Sequence, residues 1–152
     1  MKSKSAILLE LWLESRTRFT NLLENLSEID LKKRLGSSPN SIGFLIRHIG
    51  DVELLFAKNV FGNSTVKITA KTVIDKKDTG EWTDLEPLKD YVAESFKQLK
   101  SIVAQQNDND WEANIITKEF GTKTKGEAFG RIVSHTTYHA GQIAIVNKYG
   151  VV

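Results

Sequence analysis

Four segments of this 152-residue chain place apolar side chains three and four positions apart, which is the spacing that lines one face of an α-helix. They run from about Ser5 to Ser27, from a start within residues 37–41 to about Phe61, from Thr83 to Val103 and from Thr124 to Gly150. The stripe predicted to face inward in the first segment is Leu8, Leu11, Trp12, Ser15, Phe19, Leu22, Leu23 and Leu26. With 40% hydrophobic residues, a chain of this length can bury one sizeable core. The pattern predicts an all-α fold, a four-helix bundle, with residues 1–152 forming a single domain.

The starts of the third and fourth predicted helices carry the same capping signal. A threonine is followed three positions later by a glutamate, as Thr83 with Glu86 and Thr124 with Glu127. In a capping box the threonine side chain accepts from the backbone of the third helical residue, and the glutamate reaches back to the threonine backbone. We therefore expect both helices to begin at these threonines, and Gly150 to end the fourth.

Two connecting segments are long. Residues 62–82 separate the second and third predicted helices, and 21 residues without helical periodicity indicate a crossover, a lid or disorder. An extended segment of that length can run the full length of a helix, so we predict a long crossover connection here. Residues 107–123 are expected to be irregular or to form a short hairpin.

Composition excludes several classes of function. The chain has no cysteine, so disulfides and thiolate metal ligands are ruled out. Its net charge of +2 comes from scattered basic residues, which predicts no nucleic-acid partner. No stretch approaches the roughly 18 apolar residues of a membrane span, and we expect a cytoplasmic protein without a membrane partner.

The only three histidines are His48 in the second predicted helix and His135 with His139 in the fourth. Residues four apart project from the same face of a helix, so His135 and His139 can bind one ion, and His48 can complete a three-nitrogen site. Each histidine lies near the middle of its helix, which allows the three to meet. The alternative is that each is a half-buried residue with one hydrogen bond and no metal.

Two further residues are candidates for the surroundings of such a site. Asp51, one turn after His48, either orients a ligand imidazole, acts as a general base or is an exposed surface aspartate. Gln142, one turn after His139, either hydrogen-bonds a substrate or hydrogen-bonds another helix, and the neighbouring Gly141 is expected to allow close packing against another backbone. No residue is assigned as catalytic.

The segments Ser41–Ile49 and His135–Ile143 resemble the DinB-like family of bacterial helical-bundle proteins, which includes YfiT-like metal-dependent hydrolases. The resemblance covers most of the chain and implies that His48, His135 and His139 bind a divalent metal. The family often has arginine where this sequence has Ala140. The resemblance also implies a homodimer.

Members of the resembled family with known activities include S-transferases and a maleylpyruvate isomerase that use low-molecular-weight thiols such as bacillithiol or mycothiol. The resemblance therefore implies a zinc- or nickel-dependent thiol S-transferase acting on a small molecule. A hydrolase using the same metal is the near alternative. A non-catalytic metal-binding bundle with a stress or scaffold role is the alternative from a different class.

Overall fold

A computed structural model describes all residues, 1–152, and it is mostly helical with one small sheet. The helices are α1 (Lys4–Glu24), α2 (Ile42–Leu55), α3 (Lys71–Asp75), α4 (Leu85–Ala104) and α5 (Lys125–Tyr149), and the strands are β1 (Asn114–Thr117) and β2 (Gly121–Thr124). A π-helical turn, Phe56–Val60, continues α2. The helical class was predicted correctly, whereas α3 was not predicted. No helix combines the length and apolar character needed to cross a membrane.

The capping predictions had different outcomes. At α5 the Thr124 side chain accepts from the Glu127 backbone, and the Glu127 side chain accepts from the Thr124 backbone, which confirms the capping box. At α4 the prediction was wrong, because Asp84 precedes the first helical residue and makes no side-chain cap. The Glu86 carboxylate accepts from Lys89 instead.

The hairpin β1–β2 confirms one of the two expectations for residues 107–123. The strands pair antiparallel, with Ile115 opposite Lys123 and Thr117 opposite Gly121. Gly121 has a φ of 68°, in the left-handed region that glycine adopts without the Cβ penalty of other residues. Because β2 runs directly into α5, the hairpin lies beside the first turns of that helix.

The four long helices pack in pairs around a common interior, with α1 against α4 and α5, and α2 against α4 and α5. One core cluster joins the end of α1 with the start of α2, the start of α4 and the end of α5. The other joins the start of α1 with the end of α2, the end of α4 and the start of α5. Helices α2 and α4 therefore run parallel, and the segment between them must return along the length of the helices.

Most predicted inward positions are buried, but α1 departs from its pattern. Leu11, predicted to face inward, is 57% exposed. The polar Arg16 is instead buried in α1, and its guanidinium pairs with Glu53 of α2 through contacts of 2.9 and 3.3 Å. The same Glu53 accepts from the Ser95 hydroxyl of α4 at 2.6 Å. This buried network links α1, α2 and α4. The side chains pair because a buried charge is costly without a charged or hydrogen-bonding partner.

Two glycines of α2 allow close approach of other segments. A Cβ on Gly43 would lie 1.8 Å from the Trp82 carbonyl oxygen, and one on Gly50 would lie 2.7 Å from the Tyr91 ring. Gly141 was expected to serve such packing, and that expectation was wrong, since a Cβ there meets nothing within 4 Å. Helix α2 is thus held tightly against the crossover segment and α4.

Candidate metal centre

The structure brings the three histidines together in the groove between α2 and α5. These helices are antiparallel neighbours, and the histidines lie near the middle of each. His48 of α2 therefore lies opposite His135 and His139 of α5. The Nε2 atoms of His48 and His135 are 3.2 Å apart. One ring nitrogen from each histidine lies within 4.8 Å of those of the other two, and all three side chains are half-buried.

The His48 ring is oriented by a threonine from the crossover segment. Its Nδ1 lies 3.0 Å from the Thr72 hydroxyl oxygen, and that hydroxyl donates to the Asp51 carboxylate at 2.8 Å. Because the threonine proton is used toward Asp51, its oxygen can only accept from His48. The proton of the neutral His48 ring is therefore on Nδ1, and the Nε2 lone pair points toward His135.

Asp51 is fully buried, so the interpretation as an exposed surface aspartate was wrong. Its carboxylate accepts from the Thr72 backbone and hydroxyl, from Arg47 at 2.9 Å and from the Tyr91 hydroxyl at 2.5 Å. Four donors leave it no free acceptor directed at the histidines, which excludes the general-base role. Burial, and then the bond to Asp51, raise the pKa of Tyr91, so this phenol stays a donor.

His139 is oriented by Gln142, one turn further along α5. The His139 Nδ1 lies 2.6 Å from the Gln142 amide oxygen, which can only accept. The His139 proton is therefore on Nδ1 and its Nε2 is free, as in His48. His135 differs, because its Nδ1 is buried and has no hydrogen-bond partner.

All three imidazoles are held neutral at pH 7. Burial, followed by the nearby His139, lowers the pKa of His48 to about 4. Burial and the two neighbouring imidazoles lower the pKa of His135 to about 3. Burial also lowers the pKa of His139, against an opposing effect of its bond to Gln142. Neutral imidazole is the form that binds metals.

A cavity of about 540 Å³ opens beside the histidines. Its apolar wall comes from α2 and α3, and its polar wall comes from α5 and the β1–β2 turn. The lining residues other than the histidines are Val52, Leu55, Phe56, Val73, Glu119, Arg131, Ser134 and Tyr138. A small molecule of a few carbon atoms fits in this volume next to the imidazoles.

The donor set fits a divalent first-row metal. Two nitrogens that bind one zinc ion tetrahedrally at about 2.0–2.1 Å lie roughly 3.3 Å apart, close to the 3.2 Å between His48 and His135. Thr72 and Gln142 occupy the outer nitrogens of His48 and His139, as partners of metal-bound histidines commonly do. Three imidazoles beside an open cavity leave room for an exogenous ligand.

Sequence reasoning missed three residues of this site. Thr72 lies in the long segment without periodicity, where nothing indicated which side chain would contact His48. Glu119 lies in the hairpin turn and gave no signal either. Arg131 did have a usable signal, because it precedes His135 by four positions and so shares its helix face.

A family model described as the DinB superfamily matches residues 11–143. Among solved structures, a DinB-like protein (YjoA) of Bacillus subtilis is similar, with a TM-score of 0.69, 16% identity and coverage of 93% of this chain and 90% of that one. A conserved protein of Enterococcus faecalis has a TM-score of 0.67 and 14% identity over 98% of both chains. No curated protein sequence matches the chain.

A variant of the mycothiol-dependent maleylpyruvate isomerase is also similar in structure. Its TM-score is 0.67 and its identity 13%, and the match covers 94% of this chain but 63% of the isomerase. At identities this low, the similarity to the three structures shows a common fold.

Proposed function

Because the chain belongs to the DinB superfamily, we propose that it is a divalent-metal-dependent enzyme that transfers a low-molecular-weight thiol to a small electrophile. His48, His135 and His139 are the proposed ligands, and zinc or nickel is the proposed ion. The four long helices are proposed to form the four-helix bundle of this superfamily, with the crossover between α2 and α4.

The convergence of three neutral imidazoles beside an open cavity is the observation that carries the proposal. A purely structural zinc site is usually closed by four protein ligands, often cysteines. Here the chain has no cysteine, and the cavity provides space where a fourth ligand can enter. This arrangement favours a reactive site over a structural one.

A bound dication with an open coordination position supplies Lewis acidity, which lowers the pKa of a water or a thiol. The chain's own residues provide the setting for that chemistry. The Thr72 and Gln142 oxygens fix the proton of His48 and of His139 on Nδ1, so that Nε2 is available for the ion. Val52, Leu55 and Phe56 form an apolar wall of the cavity beside these imidazoles.

The sulfur nucleophile must come from a small molecule, because the protein has no thiol of its own. The structural similarity to a mycothiol-dependent isomerase supports a thiol as co-substrate. A hydrolase that uses water at the same site is the near alternative. A non-catalytic metal-binding protein is favoured by one observation, since Glu119 is the only carboxylate that lines the cavity.

Elemental analysis of the untagged protein is the first test. We expect near-stoichiometric metal in the parent and none in a His135→Ala/His139→Ala double variant. A Ser134→Ala/Tyr138→Ala variant, changed at neighbouring positions in the same cavity, is the matched control and should retain the metal. Absence of metal from the parent, even after incubation with zinc or nickel, would exclude the metalloenzyme.

A thiol-conjugation assay separates the enzyme from its alternatives. A panel of thiols that includes bacillithiol is incubated with an aromatic halide, before chelation, after chelation and after reconstitution with zinc. An enzyme loses turnover on chelation and recovers it on reconstitution. A non-catalytic metal protein loses thermal stability on chelation and shows no turnover at any stage.

We also propose that the protein is a homodimer. Large apolar side chains are exposed at both ends of the bundle, with Ile7 and Leu11 near the start of α1 and Ile145 and Tyr149 near the end of α5. Pairing of either surface across a two-fold axis would remove its side chains from water. Light scattering coupled to size-exclusion chromatography measures the molar mass, and the mass of a single chain would contradict the proposal.

A further inference from the structure

Two side chains of opposite charge line the cavity beside the histidines, and neither is neutralised within the protein. They are Arg131, from the first half of α5, and Glu119, from the β1–β2 turn. Neither takes part in any ion pair, with each other or with another residue. A positively charged guanidinium without an ion-pair partner therefore lines the cavity, and the other basic side chains of the lining are the three neutral imidazoles.

The position of Arg131 is set by helix geometry and by one aromatic contact. Arg131, His135 and His139 follow one another at intervals of four along one face of α5. The Arg131 guanidinium carbon lies 4.8 Å from the centre of the Phe120 ring, which belongs to the hairpin turn. This cation–π contact holds the guanidinium at the cavity and uses none of its five N–H donors.

We propose that Arg131 binds a carboxylate on the small molecule that enters the cavity, and that it determines the preference of the site for acidic thiols over neutral ones. The inference rests on the proposed function, since it assumes that the thiol end of the ligand lies at the histidines. A guanidinium presents paired N–H donors that match the two oxygens of a carboxylate.

The spacing along the helix sets a minimum length for the ligand. Four residues of α-helix rise about 6 Å, so the Cα atoms of Arg131 and His135 lie roughly one turn apart. A ligand that contacts both must therefore separate its sulfur from its carboxylate by at least about 6 Å, roughly the length of three carbons. Glu119 lies on the same wall of the cavity, next to Phe120 in the hairpin turn, and disfavours a second negative charge on the ligand by repulsion.

Calorimetric titration of the zinc-loaded protein with two probes of equal length tests the inference. The probes are 4-mercaptobutyrate, which has a carboxylate, and 4-mercapto-1-butanol, which has a hydroxyl. We expect the parent to bind the acid about tenfold more tightly than the alcohol, the size of one charge-assisted contact. Arg131→Gln should remove this preference and leave the affinity for the alcohol unchanged.

Two further variants control for non-specific charge and for misfolding. Arg18→Gln changes an exposed arginine of α1 outside this cavity and should keep the full preference. Glu119→Gln should increase the affinity for the acid several-fold, because it removes a repulsive charge and leaves Arg131 in place. A merely structural role of either residue would change the affinity for both probes together.

The outcomes separate this inference from the proposed function. Equal affinity of the zinc-loaded parent for the acid and the alcohol would overturn the role of Arg131 and leave the metal site intact. Retention of the preference in Arg131→Gln would also overturn it. A parent that binds no zinc would refute both proposals at once.

Discussion

Replacement of Thr72 by valine tests whether the crossover segment orients the metal ligand His48. Valine has nearly the same shape as threonine but lacks the hydroxyl. The variant loses the acceptor 3.0 Å from the His48 Nδ1 and the donor 2.8 Å from the Asp51 carboxylate. It keeps the Thr72 backbone bond to Asp51 at 3.1 Å, so the segment remains attached to α2.

The expected effect is a loss of zinc affinity of 10- to 100-fold, which is about 1.4–2.7 kcal/mol. The reason is that the half-buried His48 ring loses the partner that keeps its proton on Nδ1 and its Nε2 lone pair directed at His135. Asp51 retains its bonds to Arg47, Tyr91 and the backbone. Because one bond to a buried carboxylate is lost, we expect the free energy of unfolding of the metal-free protein to fall by about 1.5–3 kcal/mol.

Competition with a metallochromic chelator measures the zinc affinity, and denaturant unfolding of the metal-free protein measures stability. Thr72→Ser should restore most of the affinity, since serine supplies the same oxygen. Thr69→Val is the matched control, because Thr69 is exposed in the same segment and its side chain makes no hydrogen bond. Zinc affinity of Thr72→Val equal to that of the parent would refute the orienting role.

Three further predictions concern stability. Glu53→Gln should cost about 3–5 kcal/mol in denaturant unfolding, because it leaves the buried Arg16 charge without its partner; a loss below 1 kcal/mol would contradict this. Gly43→Ala should lower the melting temperature sharply, since its Cβ would lie 1.8 Å from the Trp82 oxygen, whereas Gly141→Ala, with nothing within 4 Å, should leave it unchanged or raised. The metal-free protein should lose stability as pH falls from 6.5 toward 4, because the unfolded chain protonates His48 near 6.5 and the folded one at about 4, so the unfolded state binds more protons. Denaturant unfolding at several pH values measures this slope. The slope should be smaller in His48→Gln than in the parent, and an equal slope would contradict the burial argument.

The outcome for Asp51 illustrates the limit of sequence reasoning about the site. Its position one turn after His48 indicated a possible contact, and the structure confirms a link to His48 through Thr72. The sequence also allowed an exposed aspartate, because helical periodicity alone does not say which loop covers the outer face of a helix. Burial of Asp51 depends on the crossover segment, which has no periodic pattern.

The buried Arg16 shows the same limit for the core. A long charged residue in a helix is usually exposed, and its partner Glu53 is 37 positions away. Local periodicity cannot identify such a pair, because the partner is brought near only when α1, α2 and α4 pack. Leu11 was misassigned for the related reason that the buried stripe of α1 is decided by its neighbours.

The sequence by itself determined the four long helices, the capping box at Thr124, the absence of thiols and the three histidines. These features depend on backbone geometry and side-chain chemistry within a few residues, which the local order of amino acids sets. Tertiary structure alone decided that α2 lies antiparallel beside α5, that Thr72 covers His48, and that Glu119 and Arg131 share a cavity. Those relations depend on packing between residues distant in sequence, where the burial of whole helix faces sets the arrangement.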